Sequence, residues 1–206
     1  MTNVLITGFG PFPGAPFNPS RPLALALAKR RRPAFADIHR AVHIFETSYA
    51  AVDRDLPKLL GRLKPDIVLM FGLAARTSFV RIETHARNTR SILFPDVSGY
   101  RPNERAIVRG KAALTGRAPF WRLLGAARAA RAPARTSRDA GRYLCNYVYW
   151  RALEASRSGT PFAQFIHIPP VANSRRPPGR KRRMSQAALL RAGEAILLAL
   201  LAAQRR

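Results

Sequence analysis

Cys145 is the only cysteine in a chain of 206 residues. It lies in Ser137-Arg138-Asp139-Ala140-Gly141-Arg142-Tyr143-Leu144-Cys145-Asn146-Tyr147-Val148-Tyr149-Trp150. Gly141 stands four residues ahead of the thiol, and an apolar, aromatic run follows it. This pattern predicts a loop that turns into a helix with Cys145 in its first turns, reaching about Ser156. A helix start presents N–H groups without intrahelical partners, and it carries partial positive charge. Both features favour the thiolate, the nucleophilic form of a thiol. The competing reading is a buried thiol packed as a small hydrophobe, the usual fate of a free cysteine.

A thiol nucleophile needs a histidine to take and return its proton, and a third polar group to orient that histidine. The chain has four histidines and eleven acidic residues. His167 falls near the end of an apolar run, Phe162 to Ile168, just before Pro169-Pro170. That places it at a strand's carboxyl end, the edge where sites form in α/β sheets. Phe79 to Ala86 alternates, with Phe79, Arg81, Glu83 and His85 on one face and Val80, Ile82, Thr84 and Ala86 on the other. A half-buried strand is expected there, with Glu83 and His85 on one side. His39 and His43 fall on an outer strand and receive no role. Residue types and spacing alone leave a Cys–His hydrolase and a purely structural set side by side.

The elements that would position these groups follow in order. Asn3 to Thr7 reads as a buried first strand ending at Gly8. The loop Gly8-Phe9-Gly10-Pro11-Phe12-Pro13-Gly14 has the wrong spacing for a dinucleotide loop, and its prolines lack N–H groups. Phe9 and Phe12 lie in that loop, either facing a ligand crevice or plugging the core. Ser20 is expected to cap a helix running to about Arg31. Ile38 to Phe45 reads as a strand, and Ser48 as the cap of a helix through about Leu63, with a kink or break at Pro57. Asp66 to Phe71 is a second apolar strand, ended by Gly72. Residues 88–104 form a polar loop, Phe120 to Ala130 a helix, and Arg135 to Ser137 a short strand. Ser185 caps a last helix from Gln186 to about Ala203. Strands and helices alternate, which predicts helices on both faces of a mixed, mostly parallel sheet in one domain over residues 1–206.

One cysteine excludes an intramolecular disulfide and a multi-cysteine zinc site, and it suits a reducing compartment. The N-terminus shows no signal-peptide pattern, and the longest apolar run, Ala195 to Ala203, is too short to span a bilayer. A cytoplasmic protein with no membrane partner is expected. The formal charge of +25 favours non-specific polyanion binding. The one dense basic cluster is Arg175-Arg176-Pro177-Pro178-Gly179-Arg180-Lys181-Arg182-Arg183, whose prolines and glycine make it a surface loop. No nucleic-acid-reading motif accompanies it, so no specific nucleic acid is expected.

Several blocks, in one order along nearly the whole chain, resemble the pyroglutamyl peptidase I family, in a divergent branch. They are Thr7-Gly8-Phe9-Gly10-Pro11-Phe12 with Asn18-Pro19-Ser20, then Gly72-Leu73-Ala74 with Glu83, Ala86 and Asn88, then Pro95-Asp96. Ala140-Gly141-Arg142-Tyr143-Leu144-Cys145-Asn146 resembles the family's nucleophile motif, and Phe165-Ile166-His167-Ile168-Pro169 the segment carrying its histidine. The resemblance implies a three-layer α/β/α sandwich and a cysteine exopeptidase that removes N-terminal pyroglutamate. It implies Cys145 as nucleophile, His167 as general base and then acid, and Glu83 as the group orienting His167. Phe9 and Phe12 match its ring-holding positions, Asn18 a residue near that pocket, and Leu73 a further substrate-binding position. It implies peptides with N-terminal pyroglutamate as substrates, no metal or cofactor, and a homo-oligomer. Two other functions stay open on the sequence: a thiol hydrolase of altered amide specificity, and a polyanion-binding protein on the same fold.

Overall fold

A computed structural model describes residues 1–12, 14–110, 112–156, 162–171 and 184–205. The basic cluster Arg175 to Arg183 lies outside the described residues. The apolar runs form the strands of a six-stranded sheet. They are β1 (Thr2–Phe9), β2 (Ile38–Phe45), β3 (Ile67–Leu73), β4 (Val80–Glu83), β7 (Ala134–Ser137) and β8 (Phe162–Ile168). Their order is β2-β1-β3-β8-β4-β7. The first four in that order run parallel. β4 pairs antiparallel with β8, and β7 runs parallel with β4. The remaining strands, β5 (His85–Arg87) and β6 (Ala113–Thr115), form a separate antiparallel ribbon.

Successive side chains on a strand point to opposite faces, so each sheet face has its own core. Val4, Ile6, Ile67, Leu69 and Ile166 pack on one face with α1 (Ser20–Lys29), α3 (Phe120–Ala129) and α5 (Gln186–Gln204). Leu5, Val68, Met70, Ala163 and Phe165 pack on the other with α2 (Tyr49–Leu63) and α4 (Leu144–Ala155). The result is the three-layer α/β/α sandwich with a mixed, mostly parallel sheet. By length and composition α5 is apolar enough to cross a membrane, which the run from Ala195 to Ala203 understated. Here it is a core helix. Leu189, Ile196, Leu197 and Leu200 are buried in the first core, and Glu194 takes ion pairs from Arg30 and Arg32.

Four expectations need correction. Ser20 is the first residue of α1 rather than its cap; Pro19 takes that place. The Ser20 hydroxyl is engaged by Phe9 N–H and Asn18 Oδ1, and Asn18 Oδ1 itself accepts from Ser20 N–H. α2 continues past Pro57, so the alternative of a break there falls. Gly72 does not end β3, which pairs with β8 through Leu73. The alternating stretch from Phe79 to Ala86 is not one strand. The ladder partner β7 ends at Ser137, and Thr84 N–H takes the Ser137 carbonyl while its own carbonyl receives Gly116 N–H. The chain changes sheets at Thr84, so Glu83 and His85 do not share a strand face.

Candidate active site

Parallel strands β1, β3 and β8 end on one edge of the sheet, where Phe9, Leu73 and His167 gather. β4 enters from the same edge in the opposite direction. Its register sets Arg81 directly across from His167 and Glu83 across from Phe165. Glu83 therefore stands diagonally from His167 on the α4 side of the sheet, within reach of a long side chain. His167 Nδ1 donates to Glu83 Oε1 at 2.8 Å.

The thiol arrives from the other layer. Gly141 adopts φ +86°, a conformation that strains any residue with a Cβ, and its N–H bonds Asp139 Oδ1. The turn feeds Tyr143, the first flanking residue of α4, whose side chain places no acceptor on the helix start. The first N–H groups of a helix have no intrahelical partner, so those around Cys145 are available to an anion. Cys145 stands directly over Gly72. A Cβ at position 72 would lie 2.7 Å from Cys145 Sγ and 2.6 Å from the Phe165 ring. The bare glycine makes the space in which the thiol meets the strand edge.

The buried charges are matched. Glu83 is 0% exposed, and such a carboxylate is costly unless paired. Arg81 Nε lies 2.9 Å from the same Oε1 that receives His167. Arg81 also donates to Ser137 Oγ at 2.7 Å and to the Asp139 carbonyl. The guanidinium thus ties β4 to the turn that delivers Cys145. The Glu83 backbone carbonyl is held as well, by Tyr149 hydroxyl and Gln164 Nε2. Burial works against a charged imidazole at His167. The Cys145 thiolate charge and hydrogen bond, together with the hydrogen bond and charge of Glu83, more than offset it. They push His167 up to about 9.

These groups border an open cavity of about 490 Å³ lined by Phe9, Phe12, Asn18, Leu73, Cys145 and His167 among others. Every site residue expected from sequence except Glu83 lies on its wall, and Glu83 sits immediately behind His167. Phe9 serves both roles left open for it: it packs on Phe45 in the core and faces the cavity. Asn18 spends its side chain on the loop, donating to the Gly10 carbonyl at 3.0 Å and accepting from Ser20. His85 is absent from this wall, and His43 lies at the far edge strand beside Asp55.

Two residues gained no role from the sequence. Arg81 is one; its signal was the i, i+2 spacing with Glu83 on a strand face. Asn146 is the other. It is fully buried, accepts from Arg87 N–H and donates to the Arg87 and Thr89 carbonyls. It locks α4 to β5 and the loop that follows. An amide inside an apolar helix must find such partners.

The sequence profile of the pyroglutamyl peptidase family matches residues 2–192. The chain belongs to the pyroglutamyl peptidase family. A pyrrolidone-carboxylate peptidase of Clavibacter michiganensis is 34% identical over 172 residues, covering 82% of this chain and 79% of that protein. The solved pyrrolidone carboxyl peptidase of Thermococcus litoralis superposes with a TM-score of 0.89 at 28% identity, covering 98% of this chain and 94% of that one. A mutant pyrrolidone carboxyl peptidase of Pyrococcus furiosus gives 0.86 at 27% identity, covering 98% and 100%. As a member of this family the chain is a cysteine exopeptidase acting on pyroglutamyl peptides.

Gly72→Ala tests the fit between the thiol and the strand edge. A methyl group there must displace Cys145 Sγ, the Phe165 ring, or both. Misplacing a reacting atom by about 1 Å costs about a hundredfold in rate. We expect Gly72→Ala to lose about that much kcat/KM on a pyroglutamyl amide, with an unchanged far-UV circular dichroism spectrum. Full activity in this variant would mean the thiol tolerates displacement.

Proposed function

We propose that Cys145, His167 and Glu83 act as nucleophile, proton carrier and orienting group in this hydrolysis. One observation carries the reading: His167 holds Glu83 through Nδ1 and lines the same cavity as the Cys145 thiol, whose influence raises the imidazole pKa. His167 takes the thiol proton, and Cys145 Sγ attacks the carbonyl carbon that links pyroglutamate to the next residue. A C–S bond forms, and the carbonyl oxygen becomes an oxyanion. Backbone N–H groups at the start of α4 lie where they can bind it. The imidazolium returns its proton to the amide nitrogen as the C–N bond breaks, releasing the shortened peptide. His167 then deprotonates a water that attacks the thioester, and the thiol leaves with the proton restored.

The pyroglutamyl ring is small, uncharged and flat, with an N–H and a carbonyl but no free amine. Phe9, Phe12 and Leu73 offer apolar faces for it, and the Asn18 side chain fixes the loop that carries the two phenylalanines. Such a pocket disfavours a charged amino terminus, because among the described residues no carboxylate lines its wall. The free thiol suits a reducing compartment, and we place the enzyme in the cytoplasm.

The test compares release of a fluorogenic amine from pyroglutamyl, prolyl and glutamyl amides under reducing conditions. The pyroglutamyl amide is expected to exceed both others by at least about a hundredfold in kcat/KM. Equal or faster cleavage of the prolyl amide would overturn the lactam assignment.

A further inference from the structure

A second cavity, of about 260 Å³, adjoins the first. Arg142 and Tyr143, three and two residues before Cys145, line both. Its other side is the loop after β5, from Thr89 to Phe94, together with Arg105. Ser91 Oγ accepts from Leu93 and Phe94 N–H, and Tyr143 hydroxyl donates to the Pro95 carbonyl, which fastens the loop to the start of α4. Arg90 N–H bonds the Arg105 carbonyl at 2.6 Å and brings the two arginine-bearing segments together.

The cavity is cationic without a counter-charge. Arg90, Arg105 and Arg142 line it and, among the described residues, no acidic one does. Among the described residues none of these three arginines appears in an ion pair. Arg90 donates through Nη2 to the Ala106 carbonyl, but its Nε is buried and has no hydrogen-bond partner. Three like charges facing one concave space repel, and a carboxylate between them relieves that repulsion while satisfying guanidinium donors in fork geometry. Leu93 and Phe94 are 68% and 67% exposed beside it, an apolar rim suited to the stem of a peptide side chain. The space admits a side chain or a chain end, not the face of a folded partner.

We propose that this cavity is the subsite for the leaving peptide and that it selects a carboxylate there. The carboxylate comes from an aspartyl or glutamyl side chain just after the scissile bond, or from the terminus of a very short leaving peptide. The proposal rests on the pyroglutamyl exopeptidase reading above and names the peptides that reading prefers.

The experiment measures kcat/KM for pyroglutamyl peptides that differ only beyond the scissile bond. Neutral amide-capped peptides are set beside capped peptides carrying glutamate at the first or second leaving position, a lysyl counterpart, and the uncapped neutral dipeptide. Glutamyl or uncapped peptides are expected to exceed the neutral capped ones by about tenfold, with the lysyl peptide slowest. Capped glutamyl peptides report the side-chain source, and the uncapped dipeptide reports the terminal one. In Arg90→Gln and Arg105→Gln the ratio of acidic to neutral rates is expected to fall toward one. Steering by the overall positive charge would instead vanish in about 0.5 M salt and persist in both variants. Equal rates on acidic and neutral peptides, or a preference retained in both variants, would overturn the subsite alone. Failure to release pyroglutamate from any peptide would overturn the function and the subsite together.

Discussion

Cys145→Ala is expected to abolish pyroglutamyl amide hydrolysis, with a loss of about 10⁴-fold or more. The variant removes the only thiol in the chain, so no second sulfur can substitute for it. It also removes two of the influences that hold His167 up to about 9, the thiolate charge and its hydrogen bond. Burial, which disfavours the imidazolium, then meets only Glu83 in opposition. The His167 pKa should therefore fall in Cys145→Ala, measurable by NMR titration of the imidazole. Folding should survive, because the thiol lines an open cavity and fills little of the core. Hydrolysis that persists in this variant would remove Cys145 from the chemistry, and an unmoved His167 would sever the pair.

The parts of the fold that rest on local pattern are legible in the amino-acid sequence. Continuous apolar runs mark β1, β3 and β8 because strands buried on both faces leave no polar alternation. Gly141 followed by an aromatic run marks the start of α4. The features that escape such reading depend on partners distant along the chain. Nothing between Val80 and Ala86 signals the change of sheet at Thr84. That break is set by where β7 ends, at Ser137. Ser20 has the composition of a cap, but Phe9, 11 residues earlier, claims its hydroxyl. Gly72 reads as a terminator in sequence, yet its missing side chain serves Cys145 rather than a turn. The candidate site shows the same division. Cys145 and His167 stand out by type and by place at element ends. Glu83 lies 84 positions from His167, and only the antiparallel register of β4 on β8 brings their side chains together. The i, i+2 spacing pairs Arg81 with Glu83, but the further partners, the Asp139 carbonyl for Arg81 and the Arg87 and Thr89 carbonyls for Asn146, lie on segments that no spacing rule connects.

Glu83→Gln is expected to lower kcat/KM by about 10³- to 10⁴-fold and to move the alkaline limb of the pH profile. In the proposed mechanism the imidazolium persists until it protonates the leaving nitrogen. In the native enzyme the Cys145–His167 pair keeps it up to about pH 9. Because His167 is raised, its charged form is present below that pH and is lost as pH rises through it. The glutamine keeps an acceptor for His167 Nδ1 but carries no charge. Arg81, which shares Oε1 with His167 in the native protein, then stands beside the imidazole with its own positive charge no longer balanced. Like charge disfavours the imidazolium, so both changes act in one direction. The alkaline limb should move to lower pH, and the rate should fall even at its new optimum because the ring has lost the partner that stabilises its charge. A merely structural carboxylate would lower activity through lost folded protein and leave the limb where it was. Thermal unfolding measured beside the pH profile separates the two. A limb that stays near pH 9 in a folded, slow Glu83→Gln enzyme would mean that Glu83 holds the sheet together rather than the proton.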